Sequence, residues 1–163
     1  QKNDFQYQPT VLNIRKQIES AFHLLLPLAN AKSITLTSTV LPEINVFADA
    51  TMLQIVLQNM ITNGIKFTRR GGCVAIHAAA VGEMVRLMIQ DTGIGMNTEQ
   101  TEKLFNIISK ISSRGTENEK GTGLGLILCK EFIEKQGGTI SVESNPGVGS
   151  TFILTLPSTP VRS

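Results

Sequence analysis

The spacing of apolar side chains predicts four helices along this chain. Between residues 10 and 29 they recur every three or four positions, which is typical of an amphipathic helix with one buried face. The same period predicts helices from Ala50 to Phe67 and over residues 124–137, where glycine ends the pattern. A short helix is predicted between these two, with Asn97 or Thr98 as its N-cap. The buried face of the first helix is predicted to consist of Val11, Ile14, Ile18, Ala21, Phe22, Leu25, Leu28 and Ala29.

Alternation with a period of two predicts the strands. Residues 33–40 read as a half-buried strand, and residues 73–80 and 84–91 read as two strands joined by a short turn. Residues 139–144 and 150–157 flank an Asn-Pro-Gly turn and predict a terminal hairpin. Helices and hairpins mixed in this order indicate an α+β fold, a two-layer α/β sandwich whose mixed, mostly antiparallel sheet carries helices on one face.

Composition narrows the class of protein. A length of 163 residues with 41% apolar content predicts one domain over residues 1–163. The net charge of +2 and the 5% aromatic content offer neither a basic patch nor a stacking platform, so no nucleic-acid binding is expected. Two cysteines give no disulfide framework, which favours a cytoplasmic setting, and no apolar run reaches the ~18 residues that would insert in a membrane. The absence of an initiating Met and the polar end indicate a fragment of a longer protein.

Three glycines alternate ahead of the last predicted helix, at positions 121, 123 and 125. Glycine loses much backbone entropy on folding, and close approach to a ligand is a common use for it. A helix N-terminus behind such a turn favours an anion, so phosphate is indicated, with a plain structural turn as the alternative. The dinucleotide fingerprint and the Walker pattern both fail here, because Leu126 replaces a required glycine and residues 120–121 read Lys-Gly.

The second predicted helix carries a polar stripe. Asn59, Asn63 and Lys66 fall within roughly 60 degrees of one another around the helix axis. Amide oxygens are neutral ligands for a hard cation such as Mg²⁺, and a lysine can reach a phosphate oxygen. A solvated helix flank is the alternative, although Asn is a poor helix former.

One carboxylate ends a predicted strand directly before a glycine turn. Asp91 precedes residues 92–95, which read Thr-Gly-Ile-Gly. A carboxylate in this position can accept a hydrogen bond from an exocyclic amine, or it can cap the turn.

Three stretches taken together resemble a known family. Residues 59–68 (NMITNGIKFT), 91–96 (DTGIGM) and 121–126 (GTGLGL) resemble the N, G1 and G2 boxes of the nucleotide-binding domain of bacterial sensor histidine kinases. The wider superfamily includes gyrase, a heat-shock chaperone and mismatch-repair ATPases. The similarity extends over nearly the whole chain, from residue 5 to residue 157. It implies a Bergerat-type ATP-binding fold with a mobile ATP lid over about residues 106–122, and ATP and Mg²⁺ as cofactors.

The resemblance also implies roles for single residues. Asn59 and Asn63 would hold Mg²⁺, Lys66 would neutralise phosphate charge, and Asp91 would accept a hydrogen bond from the adenine amine. Lys120 is a further basic residue of the lid. The full set of nucleotide-binding residues implied is Asn59, Asn63, Lys66, Phe67, Asp91, Gly93, Gly95, Met96, Lys110, Arg114, Gly121, Thr122, Gly123, Leu124 and Gly125.

The resemblance implies a protein kinase rather than a hydrolase. The related ATPases place a water-activating glutamate four residues before the metal-binding asparagine, and this chain has Asn59 there, which cannot take a proton. Neither His23 nor His77 lies in the family's phosphoacceptor pattern. The acceptor histidine is therefore expected on a companion dimerisation domain, with a response regulator downstream. The fragment is expected to be monomeric and cytoplasmic, and membrane anchoring of its parent through another part is left open.

One segment departs from the family pattern. Relatives read Phe-Glu-Pro-Phe where this chain keeps Phe105 but continues with Asn106, Ile107 and Ile108. This difference leaves open a pseudokinase, which would bind nucleotide and regulate without phosphotransfer. A stand-alone hydrolase is a further alternative, which the amide at position 59 opposes.

Overall fold

The computed structural model describes residues 6–104, 113–114, 120–121 and 124–160. Within these residues the helices are α1 (Ile14–Ala31), α2 (Ala50–Phe67), α3 (Thr98–Lys103) and α4 (Leu124–Lys135). The strands are β1 (Pro9–Asn13), β2 (Thr35–Thr39), β3 (Asn45–Asp49), β4 (Cys73–Val81), β5 (Met84–Asp91), β6 (Ser113–Arg114), β7 (Lys120–Gly121), β8 (Thr139–Asn145) and β9 (Gly149–Pro157). No helix in this described part of the chain is long and apolar enough to cross a membrane.

One mixed sheet forms one of the two layers of the fold. Its five strands are ordered β2-β4-β5-β9-β8, and only the β2–β4 pair is parallel. Along β5, Val85, Leu87 and Ile89 are buried and alternate with more exposed residues, so one face of the sheet is covered. Helix α1 contacts β2, α2 contacts β4 and β5, and α4 contacts β8 and β9. The predicted α+β sandwich, with a mostly antiparallel sheet and helices on one face, is therefore confirmed.

Helix α2 lies at the centre of the helical layer. It contacts α1 on one side and α4 on the other, and its Leu57 and Ile61 are completely buried. Ile18 of α1 and Ile133 of α4 are also fully buried in the same core, as is Leu154 of β9. Each such side chain contributes about 1.5–3 kcal/mol by leaving water. This packing fixes α2 against the sheet, so the polar flank of α2 has a defined position beside α4.

The start of the first helix differs from the prediction. The apolar period predicts a helix from residue 10, but α1 begins at Ile14 and residues 9–13 form β1. Asn13 ends the strand and caps the helix, since its side chain accepts a hydrogen bond from the N–H of Lys16 at 3.0 Å. Strand β1 pairs antiparallel with β3, which a local helical pattern cannot reveal. Val11 and Leu28, predicted to be buried, are 54% and 45% exposed.

The other element predictions are close to the structure. Helix α2 has the predicted bounds, and α3 begins with a capping box in which Asn97 and Gln100 exchange hydrogen bonds. Helix α4 ends before Gly137, whose φ of +85° is the left-handed conformation that glycine adopts readily. Most of the predicted lid lies outside the described residues; within it, β6 and β7 pair antiparallel.

Candidate nucleotide-binding site

The polar stripe of α2 borders the start of α4. Asn59 Nδ2 donates a hydrogen bond to the backbone oxygen of Ile55 at 2.9 Å, and this contact turns Asn59 Oδ1 away from its own helix. A Cβ atom added to Gly125 would lie 2.9 Å from that Oδ1. Asn63 lies one turn further along the same face and is, like Asn59, partly exposed. The first turn of α4 and the amide oxygen of Asn59 therefore border the same space.

The last turn of α2 holds the third member of the stripe. The Lys66 side chain is largely buried, and its ammonium lies 4.7 Å from the centroid of the Phe67 ring. A cation in this position over an aromatic face is stabilised by about 0.5–2 kcal/mol. Lys66 therefore lies at the C-terminal end of the stripe, and its contact with phosphate stays a prediction.

Asp91 lies at the end of β5 and is 8% exposed. Its Oδ1 accepts hydrogen bonds from the backbone N–H of Gly93 at 2.9 Å and of Ser150 at 3.3 Å. Burial raises the pKa of this carboxyl group, and the two N–H bonds oppose that rise. No described residue donates to Oδ2, so this oxygen is available to a donor on a ligand.

The segment after Asp91 is attached to the end of α2. The N–H of Ile94 donates to the carbonyl oxygen of Phe67 at 3.1 Å. A Cβ atom at Gly93 would lie 2.5 Å from that same oxygen and 2.7 Å from Asp91 Oδ1. Only glycine permits this approach, so Gly93 lets the 91–96 segment close onto α2.

The β8–β9 turn supports the same segment from the other side. Gly95 has a φ of +71°, and a Cβ atom there would lie 1.9 Å from the backbone oxygen of Asn145. The N–H of Met96 donates to Ser144 Oγ at 2.8 Å. Residues 91–96 are thus held between α2 and the terminal hairpin, as a preformed loop beside the Asp91 carboxylate.

Three residues that help to build the site were missed in the sequence. Gly64 lies inside α2, where glycine is less favourable than alanine by about 0.5–1 kcal/mol, and that unusual position was the available signal. A Cβ atom at Gly64 would lie 3.0 Å from Val74 Cγ2, so its absence lets α2 approach the sheet beside Asp91. Gly149 makes a similar close approach to the backbone of Asp91. The contribution of Ser150 is a backbone N–H, which no residue pattern identifies.

The predicted site residues of the lid are only partly described. Lys110, Thr122 and Gly123 lie outside the described residues, while Arg114 and Gly121 belong to the β6–β7 pair. Their contacts with nucleotide stay predictions. Residues 105–108, where the sequence departs from the family pattern, also lie outside the described residues, so the effect of that departure is untested. Leu124 begins α4, whose first N–H groups lack partners within the helix and favour an anion.

A metal at this site would depend on amide oxygens. The residues that the structure describes contain no cluster of His, Cys, Asp and Glu that could hold a metal ion. Mg²⁺ is commonly bound by few protein ligands, together with phosphate oxygens and water. The outward Oδ1 of Asn59 and the side chain of Asn63 beside it fit that ligand set.

The fold and these contacts define a nucleotide-binding α+β domain, and comparison with known proteins identifies its family. Residues 48–160 match the family described as histidine kinase-, DNA gyrase B- and HSP90-like ATPases. The sensor histidine kinase GacS of Pseudomonas protegens is 38% identical over 152 residues, which cover 88% of this chain and 16% of GacS. The catalytic domain of the histidine kinase ThkA, in a nucleotide-free form, has a TM-score of 0.81 at 28% identity and covers 93% of this chain and 97% of that one.

A second solved structure contains a partner. ThkA in complex with the response regulator TrrA matches with a TM-score of 0.78 at 27% identity, over 94% of this chain and 42% of that one. The chain therefore belongs to the family of histidine kinase-, gyrase B- and HSP90-like ATPases, as an ATP-binding catalytic domain of the sensor histidine kinase type. It spans only 16% of the length of GacS.

Proposed function

We propose that this domain binds ATP as a magnesium complex and that its parent kinase transfers the γ-phosphoryl group to a histidine on a companion dimerisation domain. The observation that carries the proposal is the arrangement along α2. Asn59 Oδ1 faces Gly125 at the start of α4, and Asp91 lies beside Gly64, nearer to the C-terminal end of α2. The two ends of ATP require different partners: the triphosphate needs cations and N–H donors, and the adenine amine needs an acceptor. The start of α4 with Asn59, and the Asp91 carboxylate, offer these partners.

The adenine end is Asp91. Its Oδ2 is available to accept a hydrogen bond from the amino group of adenine, while Oδ1 is held by Gly93 and Ser150. Guanine carries a carbonyl oxygen at the corresponding position, so a carboxylate there would face another acceptor. This difference in hydrogen bonding favours ATP over GTP.

The phosphate end lies between α2 and the start of α4. Asn59 and Asn63 would hold Mg²⁺, which neutralises phosphate charge when it is bound. The N-terminal N–H groups of α4 would bind phosphate oxygens, and Lys66 would add a positive charge. Lys110, Arg114 and the glycines at 121 and 123 would complete the phosphate contacts from the lid.

Transfer rather than hydrolysis follows from the residue at position 59. The amide of Asn59 cannot take a proton from water, and its Nδ2 is already bonded to the helix backbone. Phosphoryl transfer depends mainly on positioning and charge neutralisation, so an external histidine can serve as the nucleophile. His23 is exposed on α1 and His77 lies within β4, and neither is assigned that role.

Relatives of this chain support two partners for the parent kinase, a response regulator and a companion domain. The complex of ThkA with TrrA supports a response regulator as the downstream acceptor of the phosphoryl group. The companion domain supplies both the acceptor histidine and the dimer contact, so this domain alone is proposed to be a monomer. A cytoplasmic position would give it access to ATP and to the regulator.

Calorimetric titration tests the binding half of this proposal. The chain is titrated with ATP and with GTP, each with and without Mg²⁺. We expect binding that prefers ATP and strengthens with Mg²⁺. Equal affinity for both nucleotides, or no binding of either, would contradict the assigned site.

Phosphotransfer is tested by joining the domain to a histidine-bearing helical-hairpin domain of a relative and adding ATP labelled in its γ-phosphate. Label is expected on the hairpin histidine, with little free phosphate. Multiple-turnover phosphate release by the domain alone would indicate a hydrolase instead. ATP binding without any transfer would refute the kinase mechanism.

A further inference from the structure

A buried lysine directly after α1 contacts the C-terminal end of α2. Lys32 follows the last residue of α1 and is only 4% exposed. Its Nζ donates hydrogen bonds to the backbone oxygens of Ile65 at 2.9 Å and of Lys66 at 3.0 Å. The last carbonyl groups of a helix lack the intrahelical donors of the earlier ones, and this ammonium donates to two of them from outside, while Ile65 O also accepts the C-cap N–H of Thr68 at 3.4 Å.

The arrangement replaces the usual glycine stop. Helix α2 ends at Phe67, and its C-cap residue is Thr68, whose φ of −104° is ordinary extended backbone and not the left-handed conformation of a glycine stop. A cation at a helix C-terminus interacts favourably with the helix dipole, and charged hydrogen bonds are stronger than neutral ones. An ammonium is buried without a large penalty only where such bonds are made. Lys32 is therefore held at this place by the end of α2 and in turn fixes it.

The next carbonyl of the same turn belongs to the nucleotide site. The Phe67 oxygen accepts the hydrogen bond of Ile94 N–H at 3.1 Å, directly after the two carbonyls held by Lys32. The 91–96 segment also approaches this oxygen at Gly93, within the space that only glycine leaves. A shift of the last turn of α2 would thus move the attachment point of the adenine-binding loop.

We propose that Lys32 is a positioning residue for nucleotide binding. It holds the last turn of α2, the Phe67 oxygen of that turn holds Ile94, and Ile94 keeps the 91–96 segment at the distance where Asp91 meets adenine. Lys32 itself does not contact the nucleotide. This inference rests on the proposed nucleotide site and adds the C-cap residue of α1, a helix that carries none of the sequence boxes.

The test compares Lys32→Met with Lys32→Arg. Arginine can still donate to two carbonyl groups, whereas methionine is unbranched and only one heavy atom shorter than lysine but has no donor. The matched control is Arg70→Gln, because Arg70 is exposed at the same junction and its Nη1 donates to Ala31 O at 3.2 Å. A second control, Val85→Ala, removes volume at the opposite end of β5 from Asp91.

Two measurements are made on the 163-residue chain. Amide hydrogen exchange of Ile94, followed by NMR without nucleotide, reports the bond to Phe67. ATP affinity is measured by calorimetry at a temperature at which every variant is folded. We expect Lys32→Met to speed exchange at Ile94 and to weaken ATP binding, each by about tenfold, which corresponds to the loss of a charged hydrogen bond. Lys32→Arg should restore both, and both controls should retain wild-type values.

The outcomes separate positioning from stability alone. If Lys32→Met only lowers the melting temperature, as Val85→Ala should, and leaves exchange at Ile94 unchanged, the proposal is wrong. If the Met variant does not fold, Lys32→Gln, whose side chain is shorter and neutral, is measured in the same way. Wild-type exchange at Ile94 in this variant would equally overturn the proposal. Failure of the wild-type chain to bind ATP would refute the proposed function, whereas exchange at Ile94 tests the role of Lys32 without nucleotide.

Discussion

Replacement of Asp91 by asparagine separates nucleotide recognition from folding. The side chain keeps its size, and an asparagine Oδ1 can still accept the N–H bonds of Gly93 and Ser150. The amide NH₂ group would then occupy the position of Oδ2 and face the adenine amine. An acceptor is thereby replaced by a donor at the one point where adenine is expected to donate.

The magnitude follows from the bond that is lost. A hydrogen bond to a charged acceptor contributes about 1.5–3 kcal/mol, so Asp91→Asn should weaken ATP binding by about 10- to 150-fold. GTP should be affected much less, because its carbonyl oxygen can accept from the new amide. The ratio of ATP to GTP affinity is therefore the more specific readout.

Stability should respond in the opposite sense. Burial raises the pKa of Asp91 above 3.8, so the native state holds its proton more tightly than the unfolded chain does. Ionisation of Asp91 then lowers the free energy of unfolding as the pH rises from 3.8 through the raised pKa, and the loss is complete above it. Asp91→Asn removes this charge, so its melting temperature at neutral pH should be no lower than that of the wild type.

Calorimetry and thermal melting at a series of pH values, from about 4 near the usual carboxyl pKa up to about 8, test the three statements together. Wild-type ATP affinity should fall as the pH drops through the raised pKa of Asp91, and the variant should lack that dependence. Glu143→Gln, at an exposed position of β8, is the control for loss of a surface charge. Wild-type ATP affinity in a folded Asp91→Asn variant would refute the assignment of the adenine end.

Three further predictions concern the phosphate end and the core. Asn63→Ala should weaken ATP binding in the presence of Mg²⁺ by about tenfold and leave metal-free binding nearly unchanged; equal losses in both titrations would remove Asn63 from the metal site. Gly125→Ala places a methyl group 2.9 Å from Asn59 Oδ1, so ATP affinity should fall. The melting temperature should be retained, because alanine has a higher helix propensity than glycine; unaltered ATP affinity would contradict the contact between α2 and α4. Burial raises the pKa of Cys129 to about 12, so a thiol reagent at pH 8 (about the usual thiol pKa) should label only the exposed Cys73 quickly, and rapid labelling of both would show that the core is open.

The sequence by itself determined the elements that repeat locally. Helix α2 was predicted with its true bounds, because its apolar period is unbroken from its first turn to its last. The polar stripe of Asn59, Asn63 and Lys66 was found for the same reason, since positions three and four apart lie on one helix face. The family resemblance then gave Asp91 and the glycines their expected roles, and the fold and family are confirmed.

Only the tertiary structure decided the contacts between distant parts of the chain. Strand β1 was mistaken for helix, because its conformation depends on pairing with β3 and not on its own period. The N–H of Ser150 reaches Asp91 across 59 positions, and Lys32 reaches the end of α2 across more than 30. Local periodicity contains no information on such pairs, because they form only when helices and strands pack together. Most candidate site residues could therefore be named from the sequence, and their roles toward nucleotide stay predictions, whereas the contacts that hold them in position could not be predicted from it.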